Sequence, residues 1–144
     1  MRVDFYQLSR DPVEKVVVQL AGKVLHTGAR LLIVVADKDL RDALSQSLWA
    51  ADGFLANGMA DEPHAERQPI LLSGDCAAPN GATMLLLADG IWREEAAEFD
   101  RAMLLFDPQG TEAARKLWRE LTAREGIEPR IFKQTPGGAW REGS

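Results

Sequence analysis

The chain has 144 residues, of which 46% are hydrophobic and 27% charged, and it carries a formal net charge of −5. This length is typical of one domain with one core, and the composition is unlike that of disordered or membrane proteins. The acidic balance argues against strong direct binding to nucleic acid, because phosphate binding depends on clustered lysine and arginine, so any anion site must be local.

Three features of the sequence bear on localisation. No apolar run reaches the roughly 18 residues that cross a bilayer, and the N-terminal MRVDFYQLSRD contains no signal-peptide core. The single cysteine, Cys76, permits no internal disulfide, which agrees with a reducing compartment. The sequence therefore predicts one cytoplasmic domain over residues 1–144 that makes no contact with a membrane.

The first predicted elements are a strand and a helix. Residues 3–8, VDFYQL, alternate in polarity and are rich in strand formers. The helix that follows is predicted to have Asp11 as its N-cap, Pro12 at its first position and Gly28 just after its end. Its valines and leucines recur at helical spacing, which indicates one face packed against a core.

A second strand and helix follow at once. The run RLLIVVA, residues 30–36, is continuously apolar, as is typical of a strand covered on both faces. DKDLRDALSQSLW, residues 37–49, predicts a helix. Asp37 and Asp39 at its start have two interpretations: helix cap and dipole partner, or hard oxygen ligands for a metal, of which capping is the better supported.

The rest of the chain predicts further strands. Residues 52–68 are rich in Gly, Asn, Asp and Pro and are interpreted as a long loop. Strands are predicted over residues 69–73, 82–88 and 100–107, and a last edge strand over 130–134. Alternation of strands and helices favours parallel pairing, so the predicted fold is a three-layer α/β/α domain with a mixed, mostly parallel sheet of five or six strands.

The usual signatures of catalysis and cofactor binding are missing from the sequence. Neither GxGxxG nor GxxxxGK[ST] occurs, and His26, His64 and Cys76 lie too far apart in sequence to suggest a zinc site. No nucleophile motif with an adjacent base is found. We therefore expect no catalytic residue, no metal and no cofactor. The alternative is a small nucleotide-binding or phosphoryl-transfer enzyme, which only the predicted sheet topology suggests.

The aromatic content is the feature that bears on binding. Four tryptophans in a small acidic domain exceed the needs of one core, and aromatic residues are enriched at binding hot spots. Trp49 and Phe54 flank the end of the second predicted helix, and Trp118 lies at the edge of a later one. Each has two interpretations at this point, a partner contact or ordinary packing.

The most informative segment is ARKLWRELTAREG, residues 114–126, which predicts a helix. Arg115, Trp118 and Arg119 fall within an arc of roughly 100° on it. Two arginines four residues apart repel by about 0.2–0.5 kcal/mol, so helix stability does not explain them. A ligand with both a carboxylate and an apolar group would explain them, because guanidinium groups pair with carboxylates and an indole offers a flat apolar wall. A solvated basic face, with the tryptophan covering the core, is the alternative.

Taken together, several segments resemble one family. The LW at Trp49 with the loop containing Phe54, the DEPHAERQPILL of residues 61–72, the strand DRAMLLFD, the helix ARKLWRELTAREG and the final GGAW are similar, in order and spacing, to the chi subunit of bacterial DNA polymerase III. The resemblance covers nearly the whole chain. It implies a non-catalytic accessory subunit of the clamp-loader assembly of this nucleotidyltransferase holoenzyme, acting in DNA replication.

The resemblance also implies a partner and its site. Chi subunits bind the acidic, hydrophobic C-terminal tail of single-stranded DNA-binding protein, which ends in a phenylalanine carboxylate. The basic and aromatic positions of this tail site match Arg115, Trp118 and Arg119, and Leu104 and Met1 fall near it by alignment. Trp118 stands where a tyrosine is more usual.

A second surface is implied for the psi subunit, as a 1:1 heterodimer, or for an alternative helicase partner. Family members hold these partners through an aromatic pair that matches Trp49 and Phe54, although Ala56-Asn57 here replaces the Pro-His of many relatives. A position of the tail site that is basic in some relatives is Thr111 here, so we expect that site to be weaker or to use Lys116 or Lys133.

Overall fold

The computed structural model describes residues 1–53 and 55–143. Within these residues it contains eight strands and three α-helices in one α/β arrangement. In chain order the elements are β1 (Arg2–Gln7), α1 (Val13–His26), β2 (Leu31–Val34), α2 (Lys38–Ala50), β3 (Asn57–Met59), β4 (Ile70–Ser73), β5 (Met84–Leu87), β6 (Arg101–Phe106), α3 (Thr111–Thr122), β7 (Glu128–Gln134) and β8 (Trp140–Glu142). Short 3₁₀ turns occupy Ala65–Arg67, Glu94–Glu98 and Pro108–Gly110.

The strands form one sheet in the order β3-β4-β2-β5-β6-β1-β7-β8. Every neighbouring pair is parallel except β7 with β8, which is antiparallel. The mostly parallel α/β prediction is therefore confirmed, but the predicted five or six strands are too few. The two strands without a counterpart in the prediction, β3 and β8, are only three residues long and lie in glycine-rich surroundings, so neither shows a readable apolar alternation.

Helices cover both faces of the sheet, as the three-layer prediction requires. On β2, Leu31 and Ile33 pack with the core residues of α1 and α2, whereas Leu32 and Val34 pack on the opposite face. That opposite face is covered by α3 and by the 3₁₀ turns Ala65–Arg67 and Glu94–Glu98. Burial on both faces is the reason that the central strands have unbroken apolar runs.

The ends of the first two helices test the predicted caps. The carboxylate of Asp37 accepts a hydrogen bond from the amide of Asp39 at 3.1 Å, so the predicted cap of α2 is confirmed. The predicted cap of α1 is wrong, because Pro12 occupies the N-cap position and Asp11 does not cap the helix. Asp11 instead accepts a hydrogen bond from Gln134 at 2.6 Å, which joins the start of α1 to the end of β7.

Other boundaries also differ from the prediction. The stretch 52–68 is not all loop, since it contains β3 and a 3₁₀ turn. The helix predicted over 114–126 begins three residues earlier, at Thr111, because the turn that starts at Asp107 leads directly into it. The segment predicted as the edge strand, residues 130–134, lies inside the sheet, because β8 pairs along its outer side.

Candidate functional site

A pocket opens at the carboxyl ends of β1, β6 and β7, beneath α3. Its volume is about 330 Å³. In a doubly wound sheet a crevice forms where neighbouring strands send the chain to opposite faces. Here β1 leads into α1 on one face, whereas its neighbour β6 leads into α3 on the other. The pocket is lined by Phe5, Gln7, Phe106, Thr111, Ala114, Arg115, Trp118, Arg119, Ile131 and Lys133.

The floor of the pocket is aromatic. Phe5 is almost fully buried, with 1% of its surface exposed. The half-buried indole of Trp118 meets it edge to face, with ring centroids 5.3 Å apart and an interplanar angle of 63°. Phe106 meets Phe5 in a similar way at 6.5 Å. Trp118 therefore packs against the core with part of its ring and presents the remainder to the pocket.

The rim of the pocket is cationic. Arg115 and Arg119 on α3 and Lys133 on β7 are all exposed, and the lining contains no acidic side chain. Arg115 lies 3.4 Å from Glu112, but both side chains are largely exposed, and such surface pairs contribute little. In the described part of the chain no ion pair involves Arg119 or Lys133. The three cations are therefore available to an anionic ligand.

The structure thus brings Arg115, Trp118 and Arg119 together at the pocket, but neither Leu104 nor Met1 lines it. Leu104 is fully buried in the core on the α3 side of β6 and does not line the pocket. Met1 lies just before the amino end of β1, where its ammonium group donates to the carbonyl of Gly126 at 3.0 Å. The pocket lies at the other end of that strand.

Several lining residues were not predicted from the sequence. Phe5 and Gln7 of β1, Phe106 of β6 and Ile131 of β7 come from three strands that are far apart in sequence. Alternation along β1 indicates that Phe5 and Gln7 share a face, but it does not indicate which helix covers that face. Thr111 and Lys133 line the pocket, whereas Lys116 does not.

The second predicted surface is described only in part. Trp49, near the end of α2, is 48% exposed, which is unusual for a large hydrophobic side chain. Phe54 lies outside the described residues, so the predicted aromatic pair is not tested. Trp49 by itself provides an exposed apolar side chain on the surface of the α1 and α2 layer.

Two features of the described residues bear on metal and phosphate binding. Within residues 1–53 and 55–143, no group of three or more His, Cys, Asp or Glu side chains is placed to hold a metal ion. The start of α2, where a phosphate could bind, is occupied by the Asp37 carboxylate. None of the helices described here is both long enough and apolar enough to cross a membrane.

Comparison with known proteins identifies the family of this chain. Residues 1–129 match the family described as DNA polymerase III chi subunit, HolC. A protein of Rickettsia prowazekii (strain Madrid E), named probable DNA polymerase III subunit chi, is 23% identical over 148 aligned positions that cover 95% of this chain and 88% of the relative. Because the family match spans most of the sequence, the chain belongs to the family of DNA polymerase III chi subunits, which are accessory subunits of a DNA-replicating enzyme.

Proposed function

We propose that this protein is a non-catalytic adaptor that links the clamp loader of DNA polymerase III to the acidic C-terminal tail of single-stranded DNA-binding protein. One observation carries the proposal: a pocket with an aromatic floor is lined by three exposed cations and by no acidic side chain. Such a pocket is complementary to a peptide that ends in an aromatic residue and a carboxylate.

Each part of the pocket has a role in this proposal. Arg115 and Arg119 pair with the terminal carboxylate, because guanidinium groups hold carboxylates through two parallel hydrogen bonds. Trp118 and Phe5 receive the terminal phenyl ring. The volume of about 330 Å³ is near the lower limit of ligand pockets, roughly 300–1,000 Å³, and suits one or two side chains.

The proposal includes a second interface. The exposed indole of Trp49, together with Phe54, would hold a psi subunit in a 1:1 heterodimer, or an alternative helicase. Trp49 lies on the α1 and α2 side of the sheet, whereas the pocket lies under α3, so the two partners would bind to different faces. Residues 1–144 would act as one cytoplasmic domain between them.

The test is calorimetric titration with a tail peptide that ends in phenylalanine. We expect Trp118→Ala to weaken binding by at least about 30-fold, because buried aromatic anchors contribute about 2 kcal/mol or more. Arg115→Glu should also remove most of the affinity. Lys116→Glu is the matched control, since it changes the charge equally at an exposed neighbour outside the pocket and should have only a small effect.

Three outcomes would contradict the proposal. The first is unchanged affinity in Trp118→Ala, provided that thermal unfolding shows the variant to be folded. The second is binding that does not weaken as salt is added, because charge-assisted binding at an exposed rim must be screened. The third is stabilisation by ATP without any binding of the peptide, which would favour the nucleotide-binding alternative. A peptide lacking its terminal phenylalanine should bind much more weakly than the complete one.

A further inference from the structure

The cationic rim of the pocket continues beyond its lining, onto the last strand. In the antiparallel pair of β7 and β8, Lys133 lies directly opposite Arg141. Residues directly opposite in a sheet point to the same face. Lys133 lines the pocket, so Arg141 extends from the same face one strand further out. Both side chains are exposed.

The two faces of this hairpin differ in whether their basic side chains have acidic partners. Arg130 alternates with Lys133 and faces away from the pocket, where it lies 3.2 Å from Glu128 and 3.7 Å from Glu142. Its charge is thus compensated within the protein. On the pocket face, in the residues that the structure describes, neither Lys133 nor Arg141 takes part in an ion pair.

Folding does not account for this arrangement. Like charges directly opposite each other in a sheet are destabilising, as are the two arginines four residues apart on α3. Arg115, Arg119, Lys133 and Arg141 therefore form a cationic strip that runs from α3 across β7 to β8. Among the described residues its only ion pair is the exposed one between Arg115 and Glu112. In an acidic protein with a net charge of −5, such a local concentration of positive charge favours an acidic ligand.

We propose that Lys133 and Arg141 hold the acidic residues that precede the terminal phenylalanine of the bound tail, so that the peptide leaves the pocket across β7 and β8. This inference rests on the proposed function and adds its direction and a further specificity residue. Neighbouring strands are about 4.8 Å apart and an extended peptide advances about 3.3 Å per residue, so about one or two residues of peptide span the distance from Lys133 to Arg141.

The experiment is a double-mutant cycle by calorimetry at low salt. One change is Arg141→Gln in the protein, and the other replaces the acidic residues upstream of the terminal phenylalanine in the tail peptide with the corresponding amides. Arg141→Gln should weaken binding of the acidic peptide roughly two- to fivefold, as expected for loss of one exposed ion pair, and should leave binding of the amide-substituted peptide unchanged. Lys133→Gln combined with Arg141→Gln should weaken it further. Arg130→Gln, on the opposite face of β7, is the matched control and should have little effect.

The outcomes separate this inference from the proposed function. If the unmodified protein binds neither peptide, the proposed function itself fails. If it binds the acidic peptide and Arg141→Gln binds equally well, only the path across β8 is wrong. If Arg141→Gln keeps full peptide affinity but loses binding to a single-stranded oligonucleotide, the strip recognises nucleic acid and the inference is overturned. Thermal unfolding of each variant checks that the protein remains folded, and hydrogen exchange of the amides in β7 and β8 checks that this strand pair is kept.

Discussion

A buried carboxylate in β1 provides a sharp test of the fold. Asp4 is fully buried, and its two oxygens accept hydrogen bonds from the Nε atoms of Arg2 and Arg101, each at 2.6 Å. The two arginine side chains are 31% and 28% exposed. Asp4→Asn removes the charge that both guanidinium groups face. Breaking a buried pair costs about 3–5 kcal/mol, and partial hydration of the arginines lowers our expectation to about 2–4 kcal/mol.

Urea and thermal unfolding at neutral pH measure this loss. For a chain of this size each kcal/mol lowers the Tm by roughly 2–4 °C, so we expect a decrease of about 5–15 °C. Asp52→Asn, at an exposed position, is the control and should be nearly neutral. Asp4 faces away from Phe5 and the pocket, so tail-peptide affinity of the folded variant should not change. A stability loss below about 1 kcal/mol would refute the reasoning, because no buried charge pair would then have been broken.

Two further predictions concern the turn after β5. Burial raises the pKa of Asp89, but hydrogen bonds from Arg93 and from two backbone amides outweigh it, so that the pKa is lowered. A carboxyl group whose pKa is lowered by folding stabilises the protein at pH above its unfolded pKa of about 3.9, and this stabilisation is lost as the pH falls through the folded pKa. Asp89→Asn should therefore be less stable than the unmodified protein at neutral pH. Its free energy of unfolding, measured with urea, should also fall less steeply towards acid pH. Gly90→Ala should destabilise the protein more than Gly28→Ala. Both glycines have positive φ, but only at position 90 would a Cβ atom lie 2.8 Å from a carbonyl oxygen, that of Leu105. Equal Tm values for the two variants would contradict this close approach.

Local sequence patterns were sufficient to predict elements that are fixed by contacts between residues close in sequence and elements that are buried on both faces. Asp37 caps α2 as its sequence indicates, and Leu44 and Leu48 recur on the buried side of that helix. The apolar run of β2 reflects cover on both faces. Asp11 was misassigned because its partner, Gln134, is 123 residues away, and no local pattern reports such a contact.

Only the part of the candidate site that lies on α3 was predictable from the sequence. The half on α3 follows from helical periodicity, which sets Arg115, Trp118 and Arg119 on one side. The other half comes from strands whose order in the sheet differs from their order in the chain, so their side chains could not be assigned to the pocket beforehand. Leu104 illustrates the limit: it lies on the pocket side of β6 but beneath the surface, while Phe106, two residues along the same strand, reaches the lining.

The position of β1 in the sheet has a consequence for biosynthesis. Although it is the first strand made, it pairs on its two sides with β6 and β7, so that Phe5 lies opposite Leu104 and Ile131. A nascent chain cannot complete the pairing of β1 on both sides until residue 133 of 144, more than nine tenths of the chain, has been synthesised. We therefore expect the pocket between β1, β7 and α3 to be the last part of the fold to form, so that incomplete translation products would lack it.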